Sequence, residues 1–248
     1  MSRVSRGFRI TGKLIKFLFF LLIFSVIGIL LWRIFSSGDP SSMKSLTPND
    51  KLAAAYEEKG DDLYLFRQGQ NMITSGKENY GYFAVTDCVF IPEANQIQIV
   101  VRYNTATLRS LAEDYALETA PSRDEELFDV SLTVATDLTP DMTDDNAGND
   151  PASVRFTRVH PTQVSADTKN LYNYRRLVFE LDSAELSLSE LLDSGLLLAV
   201  YADIYYNQDI RYDEPAYGTL CLYDYLSERE DVSLSGKERR ALREYGAS

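Results

Sequence analysis

The chain has 248 residues, of which 45% are hydrophobic and 25% are charged, a composition typical of a protein with a buried core. Its 25 basic residues are outnumbered by 37 acidic ones, and the formal net charge of −12 argues against a nucleic-acid partner, whose phosphates require basic side chains. One histidine and two cysteines are too few for a zinc cluster built from cysteine and histidine ligands.

The region near the amino terminus predicts a membrane-spanning helix. Residues 17–32 contain no charged side chain, and the surrounding apolar zone covers residues 14–35. As a helix this zone reaches about 33 Å, enough to cross a hydrocarbon core of about 30 Å. Residues 1–13 carry four basic and no acidic side chains, and the first acidic residue is Asp39. Because basic residues mark the cytoplasmic side, we predict a cytoplasmic tail (1–13), a signal-anchor in the lipid bilayer (14–35) and an extracytoplasmic remainder.

The same order of basic, apolar and small residues also occurs in cleavable signal peptides. Ser36 and Gly38 supply the small residues that a signal peptidase inspects. Two features favour an uncleaved anchor: the apolar run exceeds the usual length of about 7 to 15 residues, and bulky side chains, Trp32 and Phe35, precede the cleavage site. Removal of residues 1–38 is the alternative.

Residues 36–60 are predicted to be a polar linker followed by a short helix. The linker contains Gly, Pro and several Ser residues, and it is expected to let the domain stand away from the membrane. Thr47 is predicted to cap the helix, with Asp50 completing a capping box, and Gly60 is predicted to end it. The apolar face of this helix is thin, which is typical of a helix at the edge of a domain or in a stalk.

Residues 61–226 are predicted to form a β-rich domain. Apolar residues occupy every second position of residues 97–103 and 128–134, the pattern of a strand with one buried face. The turn from Pro92 to Asn95 predicts an antiparallel hairpin. Further strands are predicted at residues 63–67, 80–91, 152–159, 175–182, 196–206 and 216–224.

Short helices are predicted at residues 107–117 and after Ser187, where Glu190 completes a cap. Since strands and helices do not alternate regularly, a doubly wound fold is disfavoured. The predicted fold class is mainly β: a single N-terminal transmembrane helix followed by an antiparallel, immunoglobulin-like β-sandwich with a few short helices. Residues 227–248 are predicted to be a C-terminal tail with a short basic helix, frayed rather than docked because its apolar side is thin.

An acidic segment at residues 137–150 is the one candidate metal site. Clustered carboxylates on a loop suit Ca²⁺, but their spacing does not match the twelve-residue helix-loop-helix pattern. We therefore predict a solvated loop, no bound metal and no cofactor. The carboxylates concerned are Asp141, Asp144, Asp145 and Asp150.

Cys88 and Cys221 lie in the first hairpin and in the last predicted strand of the domain. Outside the cytoplasm they are candidates for a disulfide, and two buried free thiols are the alternative. A catalytic cysteine or serine would need His160, the single histidine, which stands directly before Pro161 at a strand end. We expect no catalytic residue of this kind.

Tyrosine residues are dense in the late strands, where Tyr201 and Tyr205 are predicted to share one face of residues 196–206. Exposed tyrosines are typical of surfaces that bind proteins or sugars. Ordinary packing is favoured for them, but these two residues are the candidate binding residues.

The predicted function follows from what the sequence contains and omits. It shows no nucleophile–base spacing and no glycine-rich phosphate loop, so we predict a non-enzymatic interaction or structural module of the cell envelope, with a protein partner there. The alternative is a surface protein that binds or hydrolyses glycans through acidic and tyrosine side chains. The extracytoplasmic part has no Asn-x-Ser/Thr acceptor and few cysteines, which favours a prokaryotic source.

Overall fold

The chain divides into two units in a computed structural model, Met1–Asp39 and Pro40–Ser248. Helix α1 (Val4–Ser37) makes up the first unit. The structure describes residues 4–37, 39–68, 73–74, 83–104, 108–109, 112–113, 116, 118–122, 128–138, 154–169, 172–193, 197–206, 218–224 and 227–247.

The described side chains of α1 run from Lys16 to Trp32. Nearly all of them are exposed, including the large apolar side chains Phe24 and Trp32. Across the described residues, no helix combines the length and the hydropathy that a membrane span requires.

The second unit is mainly β. Its described strands pair into two antiparallel sheets, which confirms the predicted class at that level of detail. In chain order the strands are β1 (Leu65–Gln68), β2 (Ile73–Thr74), β3 (Phe83–Ile91), β4 (Gln96–Asn104), β5 (Phe128–Leu138), β6 (Arg155–Val159), β7 (Gln163–Lys169), β8 (Tyr172–Glu180), β9 (Leu197–Tyr206), β10 (Gly218–Tyr223) and β11 (Arg229–Val232).

Strand order differs between the two sheets. Among the described residues, the larger sheet has seven strands in the order β11-β1-β3-β4-β8-β7, and β2 pairs with β3. The smaller sheet has four strands in the order β10-β9-β5-β6. Strands β3 and β4 form the predicted hairpin, in which the Asn95 N–H donates to the Pro92 carbonyl over 3.0 Å.

The main hydrophobic core lies between the two sheets. Residues on alternate positions of β3, β4 and β8 contact residues on alternate positions of β5, β9 and β10. Phe66 and Phe90 stack there with ring centroids 4.8 Å apart, and both are fully buried. Burial of a side chain of this size stabilises the fold by about 1.5 to 3 kcal/mol, so this core supplies the main stabilisation of the unit.

A second, smaller core covers the outer face of the seven-stranded sheet. Helices α2 (Asp50–Lys59) and α4 (Gly236–Gly246) pack on this face, whereas the short helix α3 (Leu188–Asp193) contributes Leu188 to the main core. Leu52 and Leu242 of the two covering helices belong to the same buried cluster as the strand residue Ile91. Helix α2 is thus an element of the domain edge and not a stalk.

The end of α2 was predicted correctly, but its cap was not. Gly60 ends the helix with a φ of 60°, a conformation that favours glycine. At the start, the Asn49 side chain accepts the N–H of Leu52, so Asn49 and not Thr47 is the cap. Thr47 lies two residues before this cap, and its backbone N–H and carbonyl bond to the side chain of Gln98.

Two segments expected to be loose are docked. Residues 40–49, which we call the strap, lie on the outer face of the seven-stranded sheet, with Met43 and Asn49 buried. Helix α4 begins with the predicted capping box of Ser235 and Glu238, and it packs on α2 instead of fraying. The prediction of a free spacer and of a frayed helix was wrong for these residues.

Candidate functional site

The candidate binding residues lie on the outer face of the four-stranded sheet. In β9, Val200, Ala202 and Ile204 belong to the main core, so alternation places Tyr201 and Tyr205 on the opposite face. This assignment of faces agrees with the sequence prediction. A docking surface needs exposed rings, but Tyr205 is buried and Tyr201 is partly buried.

Tyr205 is buried, with 4% of its surface exposed. The Arg158 guanidinium lies 5.7 Å from the centre of the Tyr205 ring and donates to its hydroxyl over 3.1 Å. Because β6 and β9 both pair with β5, this contact bridges the strand between them. Burial raises the pKa of the Tyr205 hydroxyl, and the charge of Arg158 opposes that rise. Tyr205 therefore fixes the sheet surface and is not an exposed anchor.

Asp203 forms the polar centre of this face. Its carboxylate accepts hydrogen bonds from the hydroxyls of Thr133, at 2.5 Å, and Thr219, at 2.8 Å. The neighbouring Ser131 is fully buried, and its hydroxyl has no hydrogen-bond partner in the part of the chain that the structure describes. A carboxylate held by two hydroxyls is already satisfied, so this arrangement stabilises the sheet rather than offering a free acid or base.

Tyr201 and Cys221 face each other across β9 and β10. Both are partly buried, and burial raises the pKa of each group. Cys88 is buried in the main core, where desolvation raises the pKa of its thiol strongly. Both cysteines are free thiols. The hypothetical disulfide is absent because Cys88 lies between the sheets, whereas Cys221 lies on the other face of its sheet.

Strand β6 carries an exposed surface that the sequence analysis did not single out. Phe156 is 66% exposed, and Arg155 and Arg158 beside it are exposed as well. We call these three residues the edge surface. In the described part of the chain, β6 is the terminal strand of its sheet. The sequence signal was available: an aromatic residue between two arginines in an acidic chain.

A groove of about 840 Å³ lies between α2 and α4. Its walls carry Tyr56 and Tyr245 together with the carboxylates of Asp50 and Glu57. The Tyr245 hydroxyl donates to Asp50 over 3.2 Å, and this bond raises the pKa of Tyr245. The volume suits a small ligand, since pockets for such ligands measure about 300 to 1,000 Å³.

The remaining residues singled out by the sequence analysis are the acidic loop and His160. The carboxylates of the candidate calcium loop, Asp141, Asp144, Asp145 and Asp150, lie outside the described residues. His160 is described and lies exposed after the end of β6. Within the described residues, no group of three or more metal-ligating side chains comes together.

Comparisons of the chain with protein-family models, with curated proteins and with solved structures gave no match.

Proposed function

We propose that this protein is a membrane-anchored, extracytoplasmic interaction module, non-enzymatic, that binds a protein of the cell envelope through its edge surface. The observation that carries the proposal is the exposure of Phe156 between Arg155 and Arg158 on a terminal strand. Aromatic side chains and arginine are both enriched at protein interfaces. A terminal strand also offers unpaired backbone groups to a partner strand.

Two observations support the proposed membrane anchor: the apolar sequence of residues 14–35 and the exposed apolar side chains of α1. Residues 14–35 have the length and apolar character of a signal-anchor, and the basic residues before them favour a cytoplasmic amino terminus. The phenylalanine side chains of α1 are exposed to its surroundings, including Phe17 and Phe24. Such a surface is stable in lipid and costly in water.

The strand order supports an immunoglobulin-like domain. In immunoglobulin domains, one sheet has the order A-B-E-D and the other contains C, F and G as neighbours. If β3 is taken as strand A, then β3-β4-β8-β7 corresponds to A-B-E-D. Strands β10, β9 and β5 then correspond to G-F-C, and β6 is an added strand beside C. In this fold the edge surface belongs to the sheet that contains C, F and G.

Electrostatics favours an acidic partner at the edge surface. The protein has an acidic balance overall, so a basic stretch on one strand is a local exception. Complementary charge raises the rate of encounter and selects against wrong partners. We expect the partner segment to be an extended chain with acidic side chains, added beside β6.

Site-specific photo-crosslinking tests this proposal. We expect p-benzoylphenylalanine at position 156, which keeps an aromatic ring there, to give one discrete adduct in intact cells. The matched control is the same group at Val164, an exposed apolar residue on β7 of the other sheet. Equal products from both positions, or none from 156, would contradict the proposal. Phe156→Asp is expected to remove the interaction and to change the unfolding free energy by less than about 0.5 kcal/mol.

A second candidate function is glycan binding in the groove between α2 and α4. The observation that favours it is the pairing of two tyrosines with the carboxylates Asp50 and Glu57 along one groove. Aromatic rings and carboxylates are the side chains that bind sugar rings and their hydroxyls. Calorimetric titration with soluble envelope oligosaccharides distinguishes the two functions, since binding that is lost in Glu57→Ala and kept in Phe156→Asp would favour the groove.

A further inference from the structure

The strap lies on the seven-stranded sheet as a short 3₁₀ helix (Ser41–Lys44) followed by a non-helical stretch in which Ser45 and Asn49 are extended. The hydrogen bonds that hold it use side chains of the domain and the backbone of the strap. Gln98 provides the most complete example: its side-chain oxygen accepts the Thr47 N–H over 2.9 Å, and its side-chain nitrogen donates to the Thr47 carbonyl over 3.0 Å. Glu238 of α4 accepts the N–H of Leu46 over 2.9 Å. Contacts of this kind recognise an extended backbone without requiring a paired strand.

One side chain of the strap fills a pocket. Met43 is 2% exposed and packs against Val100 and Tyr174, on the face of the sheet opposite the main core. Around it, Ser42 donates to Asp167, and the Asn49 side chain donates to Glu180 over 3.2 Å. The pocket therefore selects an unbranched apolar residue, while the rest of the groove binds backbone and small polar groups.

Beneath the strap lies a buried charged group that is incompletely satisfied. Arg176 is 1% exposed; it donates to the Met43 carbonyl and lies 3.5 Å from the Asp87 carboxylate. Among the described residues, no hydrogen-bond partner reaches its buried Nε and Nη1 atoms. Burial of a charge with unpaired donors is costly, so the docked strap carries a penalty that water would remove on release. The bound state is stabilised by specific contacts and opposed by this penalty.

We propose that the outer face of the seven-stranded sheet is a peptide-binding groove and that the strap is its releasable occupant. Release requires no change in the main core, because the strap contacts the opposite face of the sheet. The ligand class is a peptide that forms one 3₁₀ turn carrying an unbranched apolar side chain and continues to a Thr-Pro pair four residues later, as in the strap itself. This inference does not depend on the edge surface or on its partner.

The test uses the full chain in detergent micelles and a fluorescent peptide with the sequence of residues 39–50. In the wild-type chain the tethered strap has an effective concentration of about millimolar and excludes the peptide. Met43→Asp weakens the tethered strap and leaves the groove unchanged. We expect Met43→Asp to bind the wild-type peptide at least tenfold more tightly than the wild-type chain does, and a peptide carrying the same Met43→Asp change not to bind.

Two variants control for charge and for the groove. Ser41→Asp adds the same charge at an exposed strap position, and it is expected to behave like the wild type. Adding Gln98→Ala to Met43→Asp is expected to abolish peptide binding. Equal peptide affinity of Met43→Asp and Ser41→Asp would overturn the proposal.

Hydrogen exchange of the wild-type chain decides the matter if Met43→Asp fails to fold. The backbone N–H groups of Leu46 and Thr47 are bonded to side chains of the groove. If the strap is released separately, we expect these two groups to exchange at least tenfold faster than the N–H of Ile99 in β4. Equal protection would show that the strap opens only when the domain unfolds, and the proposal would be rejected.

Discussion

The contact between Tyr205 and Arg158 stabilises the outer face of the four-stranded sheet. Tyr205 is on the outer face of its sheet, yet its ring is buried and its hydroxyl accepts a hydrogen bond from Arg158. The contact crosses β5 and joins three strands of the four-stranded sheet. The Tyr205 side chain supplies both buried apolar area and a hydrogen-bond acceptor. Its removal therefore takes away a packing contact and a polar contact together.

We expect Tyr205→Ser to lower the free energy of unfolding by about 3 kcal/mol, because it removes a buried ring and the hydroxyl that accepts a hydrogen bond from Arg158. Tyr201→Ser is the matched control. Tyr201 is on the same face but only partly buried, and we expect its loss to cost about 1 kcal/mol. Urea unfolding followed by circular dichroism measures both. If both variants lose the same small amount of unfolding free energy, the Tyr205 ring does not stabilise the fold.

The sequence predicted the direction of these side chains and favoured ordinary packing for them, but it did not predict the contact that covers Tyr205. Alternation in β9 correctly separated Ala202 and Ile204 from Tyr201 and Tyr205. Burial of Tyr205 depends on Arg158, which is 47 positions away in the chain and meets Tyr205 only through the pairing of two strands with β5. Pairing between distant strands leaves no signal in a local sequence pattern. The contact between Arg158 and Tyr205 could therefore not be inferred from the sequence.

Helix α4 and the strap are stabilised jointly by one carboxylate. Burial acts to raise the pKa of Glu238, but hydrogen bonds from the Ser235 hydroxyl and from the N–H groups of Leu46 and Ser235, with the charge of Arg176, lower it overall. A carboxyl whose pKa is lower in the folded state stabilises the fold fully above its unfolded pKa, about 4.5. That contribution is lost as the pH falls through the folded value.

We expect Glu238→Gln to destabilise the domain by about 1 kcal/mol at pH 7, because it weakens charge-assisted hydrogen bonds. The difference from the wild type should stay constant down to about pH 4.5 and shrink only below it, since the wild-type carboxyl in the folded state gains its proton below that value. Urea unfolding at several pH values measures this. Glu244→Gln, on the same helix and exposed, is the control and should show no such dependence.

Strands with a regular alternation of apolar residues were predicted from the sequence. Strands β7 and β11 and the strap, which depend on contacts with distant parts of the chain, were missed. The hairpin of β3 and β4, β5, β9 and β10 follow their apolar alternation closely. Strand β7 has mostly exposed residues, and β11 reads Arg-Glu-Asp-Val, so neither shows a buried face. Such strands form because a neighbour supplies hydrogen bonds. The strap was missed because its contacts come from Gln98, Arg176 and Glu238, which lie 51 or more positions from their strap partners.

At the scale of the whole molecule, the proposed topology gives a direct test. Protease added to intact cells or spheroplasts is expected to remove the domain and to spare residues 1–13, because only the domain lies outside the membrane in the proposal. Immunoblots of tags placed at the two ends of the chain follow the two parts separately. Full protection of the domain, with lysed cells as the positive control, would refute the proposed orientation.

Pairing between the first and last elements of the domain constrains how it is made in the cell. Strand β1 pairs with β11, α2 packs on α4, and the strap N–H of Leu46 reaches Glu238. During synthesis, β1, α2 and the strap emerge first and wait for partners that are translated more than 150 positions later. A product that stops before residue 229 keeps the edge of β1 and the apolar side of α2 uncovered. An unpaired strand edge and an exposed apolar surface favour aggregation and degradation. A product truncated before β11 and α4 is therefore expected to be removed instead of accumulating.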